Sequence, residues 1–331
     1  MLGIPVVAAL AMGSLTATAV AEPEVSHVPG EVHLATFGSP GATGVAHTVR
    51  RGDGNWYGFG YLGTSHSQRQ LVSAIVGGEE HLLYEDYSGL PYRPWLHHRI
   101  RHADGSWSEV VGSPDTTGST TDLAVAAVAG ELHRVRRNSG DDTLRHNVRH
   151  ADGTWSETVA IPALSSPTSN VAIAGVGGDL RLLVDGIGGD TVIVSYVRHA
   201  DGTWEQTPDV PFTPPVAGVT AVNVEVAQVG TELHAAVTGS DGRLYHAAQR
   251  SNGAWTGFHD IASQTGVPRG TVTSAAITAA RGTLHVAVTT SEGRILHTIR
   301  SGDGRWRPFG DVLDATGSPS LTPNGLTIAG S

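Results

Sequence analysis

The 331-residue chain has no cysteine, and its 21 basic residues are all arginine, because lysine is absent as well. The lack of cysteine excludes a disulfide framework, a zinc–thiolate site and a thiol nucleophile. Charge is sparse, at 16% of residues, and the net charge of -10 argues against a nucleic-acid partner, whose binders need basic patches. Long hydrophobic runs are missing beyond the N-terminus, so no later stretch reads as a membrane span. Helical periodicity survives for no more than a turn or two, and capped helices are absent. The usual catalytic and cofactor signatures are also lacking. There is no His-Glu-x-x-His motif, no phosphate-binding Walker loop and no G-x-S-x-G elbow. The stretch GFGYLG at 58–63 matches G-x-G-x-x-G but opens no helix, so it carries no dinucleotide site. No catalytic residue, metal or cofactor is expected from these motifs.

What the chain does have is glycine, 43 residues of it, with 39% apolar residues: a globular composition tilted toward small side chains and turns. Residues 2–21 carry no charge, and Ala19-Val20-Ala21 before Glu22 fits a small-x-small cleavage site. Residues 1–21 therefore read as a signal peptide of a secreted protein. The positive n-region is missing, which leaves an uncleaved anchor as the alternative.

The heptapeptide RHADGTW at 149–155 returns at 198–204, with a near-copy at 101–107. Aligned on tryptophan, six copies end at Trp56, Trp107, Trp155, Trp204, Trp255 and Trp306, spaced by 51, 48, 49, 51 and 51 residues. An Asp-Gly or Asn-Gly turn precedes each tryptophan, because these residues tolerate the backbone of a tight turn. The motif reads as a strand entering a hairpin, with the tryptophan starting the next strand. Upstream, each repeat shows a strand of small residues, a glycine turn and an alternating strand such as Leu284-His285-Val286-Ala287-Val288. Six repeats of four short strands predict an all-β, six-bladed β-propeller of antiparallel blades. The Ala- and Gly-rich strands should lie innermost, where blades crowd the axis. NGLTIAG at 324–330 reads as an innermost strand lacking its continuation, and the segment from residue 29 as a second strand lacking its predecessor. Strands from both ends would then complete one blade, and residues 22–331 would form a single domain.

Histidines recur on the second and third strands of the repeats: His33 and His47, His81 and His98, His133 and His146, His234 and His246, His285 and His297. The fourth repeat carries Arg181 and Ser195 instead. In LHAAVTGSDGRLYH and LHVAVTTSEGRILH this layout resembles the fucose-binding propeller lectins, both the fungal fucose-specific lectins and the bacterial PLL-type lectins. DGRLYHAAQRSNGAWTGF at 241–258 is especially similar to the PLL-type repeat. The resemblance implies a groove between blades, repeated around the ring. In the fungal lectins an Arg and a Glu at this spacing grip fucose and an aromatic of the neighbouring blade stacks on it. Here histidine replaces most of those ligand residues, and only Arg181 keeps the arginine.

On physical grounds alone, imidazole pairs on one sheet face could bond sugar hydroxyls, bind metal, or form a satisfied polar layer between blades. The repeated tryptophans read first as packing, and the repeated aspartates as turn chemistry. One irregular segment, residues 84–98, reads as a loop that lengthens one hairpin and brings Tyr84, Tyr87, Tyr92 and Trp95 together with Glu85, Asp86 and Arg93, a combination suited to sugar. The non-repeat acids Glu79, Glu80, Glu85, Asp86, Asp185, Asp190 and Glu225 read as solvated charge. The expectation is a secreted, lectin-like propeller whose partners are glycans or cell-surface polysaccharide, with no membrane contact beyond the signal segment. The ten paired histidines, Arg181, Tyr92 and Trp95 are its candidate binding residues. A propeller glycoside hydrolase or lyase, or a protein-interaction scaffold, is the alternative.

Overall fold

The computed structural model describes residues 30–39, 42–63, 67–88, 93–112, 120–138, 143–161, 170–185, 191–266 and 270–331. The expected signal peptide lies outside them. Six four-stranded antiparallel sheets form a six-bladed propeller. Blade 1 contains β1 (Val32–Ser39), β2 (Ala42–Arg50) and β3 (Gly60–Gly63). Blade 2 contains β4 (Ser67–Val76), β5 (Glu79–Ser88), β6 (Arg93–Arg101) and β7 (Val111–Gly112). Blade 3 contains β8 (Thr120–Val128), β9 (Glu131–Asn138), β10 (Leu144–Arg149) and β11 (Val159–Ala160), and blade 4 β12 (Val171–Val176), β13 (Asp179–Asp185), β14 (Val192–Arg198) and β15 (Trp204–Pro211). Blade 5 contains β16 (Ala221–Val229), β17 (Glu232–Gly239), β18 (Leu244–Gln249) and β19 (His259–Asp260), followed by the single turn α1 (Ala262–Thr265). Blade 6 contains β20 (Val272–Ala280), β21 (Thr283–Thr290), β22 (Ile295–Arg300) and β23 (Gly310–Asp311), followed by α2 (Val312–Ala315). The last strand, β24 (Asn324–Gly330), pairs antiparallel with β1 and becomes the innermost strand of blade 1. Strands from both ends of the described chain thus complete one blade, as the sequence implies.

Innermost strands pack blade to blade around the axis, and their composition follows from that crowding. A Cβ added at Gly175 would lie 2.2 Å from the Ala127 carbonyl oxygen of blade 3, and one at Gly330 2.3 Å from that of Ala279 in blade 6. Only glycine permits backbones so close. The apolar cores lie between neighbouring blades: Leu233, Val237 and Tyr245 of blade 5 pack with Ala174, Leu183 and Val210 of blade 4.

The heptapeptide makes the turn its composition requires. The motif glycines have positive φ, from 83° at Gly253 to 97° at Gly54. Asp104, Asp152 and Asp201 each accept a backbone N–H two residues on, at 2.9 Å. The repeated aspartate is therefore turn chemistry. The tryptophan differs from expectation. In five blades it makes an isolated bridge to the residue six positions earlier, and the outermost strand begins later; only Trp204 starts a strand, β15.

The irregular segment also differs from expectation, because it extends strands rather than a loop. Tyr84 to Asp86 belong to β5 and Trp95 to His98 to β6, in continuous register. Tyr84 is 1% exposed and stacks on His97 at 5.1 Å, so it packs, whereas Trp95 is 49% exposed. Tyr92 lies outside the described residues.

Candidate binding crevices between the blades

The hairpin register decides what the histidines do. On β17 and β18, His234 faces Ala248 and His246 faces Ala236, so the two imidazoles lie diagonally on one sheet face. The same offset holds on β1–β2, β5–β6, β9–β10 and β21–β22. Four pairs are directly hydrogen-bonded, Nδ1 to Nε2: His81–His98, His133–His146 and His285–His297 at 3.0 Å, and His234–His246 at 2.9 Å. One ring donates its N–H and the other accepts, which requires the acceptor nitrogen to be unprotonated.

The following blade closes over each pair. Its motif tryptophan sets an edge against the third-strand histidine: Trp155 on His98, Trp204 on His146, Trp306 on His246 and Trp56 on His297, with ring centres 5.2–6.2 Å apart. Its motif arginine stands within electrostatic reach: Arg149, Arg198, Arg300 and Arg50 in the same order. Burial first, and these guanidinium groups after it, push His81, His133, His234 and His285 down to about 4, while burial and the partner imidazole push His98 and His146 to about 3. His246 and His297 are held well below the usual histidine range for the same reasons. These pairs are neutral in the fold at neutral pH. They are also nearly inaccessible, with His246 the most exposed at 8%. The tryptophans are only half-buried, so each reaches the surface at its blade boundary.

Two crevices depart from this pattern. In blade 4, Arg181 and Ser195 occupy the diagonal, and Ser195 Oγ accepts from the Thr207 hydroxyl at 2.7 Å. The next blade correspondingly lacks the motif arginine, having Gln249. The cation has moved from one side of the crevice to the other. In blade 1, His33 and His47 do not bond each other in the pattern of the four pairs. Glu80 of blade 2 enters between them, and its Oε2 lies 2.9 Å from both His33 Nδ1 and His47 Nε2. Burial alone would push the Glu80 carboxyl up. The His47 and His33 imidazoles outweigh it and hold the group well below the usual carboxylate range.

Glu80 is one of several acids that the sequence suggests are solvated and the structure buries. Glu85 is 1% exposed and accepts the Thr120 N–H at 2.7 Å; Asp185 is 0% exposed and accepts the Asn170 N–H. Glu225 lies in the axial channel, in a layer otherwise made by Val72, Ala124, Ala172, Ala276 and Thr327, and burial pushes its carboxyl up to about 8. Asp122 also lines the channel but is paired with Arg137 at 2.6 Å, so among the described residues lining the channel Glu225 has no second free carboxylate beside it.

An open crevice lies between blades 5 and 6, a cavity of about 380 Å³ bordered by Asp241, Arg243, Asp260, Ser263, Thr271 and Phe309. Arg243 donates to Asp260 at 2.9 Å and its side chain remains 56% exposed. Asp241 accepts from the Tyr245 hydroxyl at 2.7 Å. Leu244, in the wall, is two residues from His246 on β18 and so faces the same neighbouring blade. The crevice is therefore continuous with the face that holds the His234–His246 pair under Trp306. The sequence points to this repeat but not to Arg243, Asp260 or Phe309. Their signal is weak, because Asp-Gly-Arg reads first as a turn.

No protein-family model and no curated protein matches the chain. Solved structures do match in fold. The Aleuria aurantia lectin, as a mutant in complex with Fucα1-6GlcNAc, aligns with a TM-score of 0.60 at 15% identity over 83% of this chain and 90% of that one. The same lectin with α-methyl-L-fucoside aligns at 0.57, with 14% identity over 90% and 99%. A triple arginine-to-alanine mutant of AofleA from Arthrobotrys oligospora aligns at 0.54, with 13% identity over 75% and 72%. The chain has the propeller fold of these proteins.

Proposed function

We propose that the protein is a secreted, lectin-like propeller that binds glycan in crevices between its blades, with the crevice between blades 5 and 6 as its principal site. The open cavity there carries this reading. Its size suits one or two sugar rings. Arg243 offers planar donors, Asp241 and Asp260 offer acceptors, and Phe309 offers an apolar face for the C–H side of a pyranose. Because the carboxylates accompany the arginine, the lining favours a neutral sugar over an acidic one. The His234–His246 pair and Trp306 lie deeper on the same blade face, behind the lining of this cavity, and the other histidine pairs and Arg181 with Ser195 hold the equivalent positions on the other blades. The fold shared with a lectin solved in complex with α-methyl-L-fucoside supports the same reading. Secretion rests on the charge-free segment 2–21 and its small-x-small end.

The test is a glycan array at pH 7.5, followed by titration of any hit with Arg243→Ala and Phe309→Ala variants. Each substitution should weaken binding at least tenfold, Arg243→Ala with an unchanged melting temperature and Phe309→Ala with a modest drop, because Phe309 also packs against the core between blades 5 and 6. Undiminished binding in both variants would move the site elsewhere. No binding to any glycan, together with release of reducing sugar from polysaccharide, would replace the lectin by a hydrolase.

A further inference from the structure

The residue before the second-strand histidine, or before Arg181 in blade 4, is apolar in every blade but one. It is Val32, Leu132, Leu180, Leu233 and Leu284, all buried, and in blade 2 it is Glu80. A carboxylate at a buried leucine position is strongly disfavoured unless something compensates for it. Here it is aimed across the blade boundary at the histidines of blade 1. His33, His47 and Glu80 each present a ligand atom, and these atoms lie within 4.8 Å of one another. All three residues are 0–1% exposed. The second carboxylate oxygen, Glu80 Oε1, is buried and has no hydrogen-bond partner.

We propose that this cluster is a structural site for a borderline divalent metal ion, zinc(II) above all, that clamps blade 1 to blade 2. Two imidazoles and a carboxylate are a zinc-type donor set, and Oε1 can supply a fourth donor if the carboxylate binds through both oxygens. Bonds of about 2.0–2.1 Å in a tetrahedron set donor atoms about 3.3 Å apart. The 2.9 Å separations therefore need only a few tenths of an ångström of widening. Loading requires each ligating nitrogen to give up its proton, to solvent from an imidazolium ring or to the other ring nitrogen of a neutral one, and the ion takes its place. The position gives the clamp its role. Blade 1 is the one completed by strands from both ends, and His33 lies on β1, which holds β24. An ion shared with Glu80 would tie that blade to the rest of the ring, so that binding energy becomes folding energy. The buried Arg101, opposite Glu80 across β5–β6, is the competing cation. A triad neutralised by Arg101 and the imidazoles alone is the rival state.

The test unfolds the full chain in chelator and refolds it with chelator, zinc(II) or cobalt(II). After exhaustive dialysis, elemental analysis should find one ion per chain. The cobalt form should show the intense visible absorption of tetrahedral coordination, and the metal forms should melt higher than the chelator form. Glu80→Leu, the residue of most other blades, should abolish stoichiometric binding, and Glu80→Gln should weaken it. Substoichiometric metal in the parent, or a cobalt spectrum of the free aquo ion, would overturn the site. So would equal retention of metal by Glu80→Leu. Should that variant fail to fold, the parent's stoichiometry and cobalt spectrum decide alone. Glycan binding does not enter any of these readouts.

Discussion

The crevice between blades 1 and 2 and the crevice between blades 5 and 6 start from the same parts. Each has two diagonal histidines on one blade and a motif tryptophan from the next, with His47–Trp107 and His246–Trp306 centres 5.1 and 5.2 Å apart. They differ in what the repeat does not specify. Between blades 1 and 2 a carboxylate replaces a leucine and fills the interior with charge. Between blades 5 and 6 the leucine, Leu284 of blade 6, is kept and packs on Ala236 and Leu244 of blade 5, the interior stays neutral, and the variation has moved out to the hairpin carrying Asp241 and Arg243. The repeated residues build an interface; single departures from the repeat give each interface its chemistry. A buried departure can only act structurally, whereas an exposed one can meet a ligand.

The most severe way to break this comparison is to remove β24. Deleting residues 324–331 strips Leu326, Ile328 and Ala329 from the core and leaves β1 with an open edge. At roughly 1.5–3 kcal/mol for each large apolar side chain, with the lost pairing added, the cost is on the order of 5 kcal/mol or more, comparable to the whole stability of a domain. The melting temperature should fall by at least about 10 °C. Persistent glycan binding with an unchanged melt would mean that the crevices are independent and that closure does not hold the ring.

Acid is the next largest effect, and it separates the four paired crevices from the one with the carboxylate. The eight paired histidines have folded-state values depressed below the unfolded value of about 6.5, six of them to about 3–4. The unfolded chain therefore binds more protons as pH falls. Stability is fully present above about pH 6.5 and is lost as pH drops toward the folded values. Each histidine still neutral in the fold costs about 1.4 kcal/mol per pH unit in that window. Eight together would exhaust a typical stability of about 5–15 kcal/mol within one to two units. Melts between pH 8 and pH 4 should show a steep loss, with unfolding complete before pH 4. His285→Gln with His297→Gln should make the slope shallower. A flat profile in the parent would show that the pairs are not buried as neutral rings.

How much of this was legible in the sequence follows from period. The blades, their order, the closing strand and the diagonal histidines are all repeated features, and repetition raises a weak local signal above chance. The heptapeptide arginine was visible too, but not its role, because it acts on the preceding blade's histidines and no local pattern reports a neighbour across an interface. Glu80 was written beside His81 yet read as solvated charge; the contrast with leucine in other blades was the available signal. Arg243 and Phe309 gave no such contrast. The segment 84–98 misled in the other direction: an irregular sequence suggested a loop, and the structure extends strands through it, because Leu82, Tyr84 and Leu96 still alternate into the core.

The smallest expected effect concerns Trp95, the exposed aromatic of that segment. Its indole is 49% exposed, and its cross-strand neighbour is Asp86 near the end of the β5–β6 hairpin. It belongs to blade 2 and borders neither wall of the crevice between blades 5 and 6. Trp95→Ala removes little buried area, so stability should change by no more than about 0.5 kcal/mol. If that crevice is the principal site, glycan affinity should also stay within about twofold. A clear loss of affinity with an unchanged melt would locate a second stacking platform on blade 2, where an aromatic beside a carboxylate has the chemistry to hold a sugar. A lowered melt would instead show that the indole contributes to packing. Measured beside Phe309→Ala, the substitution asks whether the exposed Trp95 or the half-buried Phe309 meets the ligand.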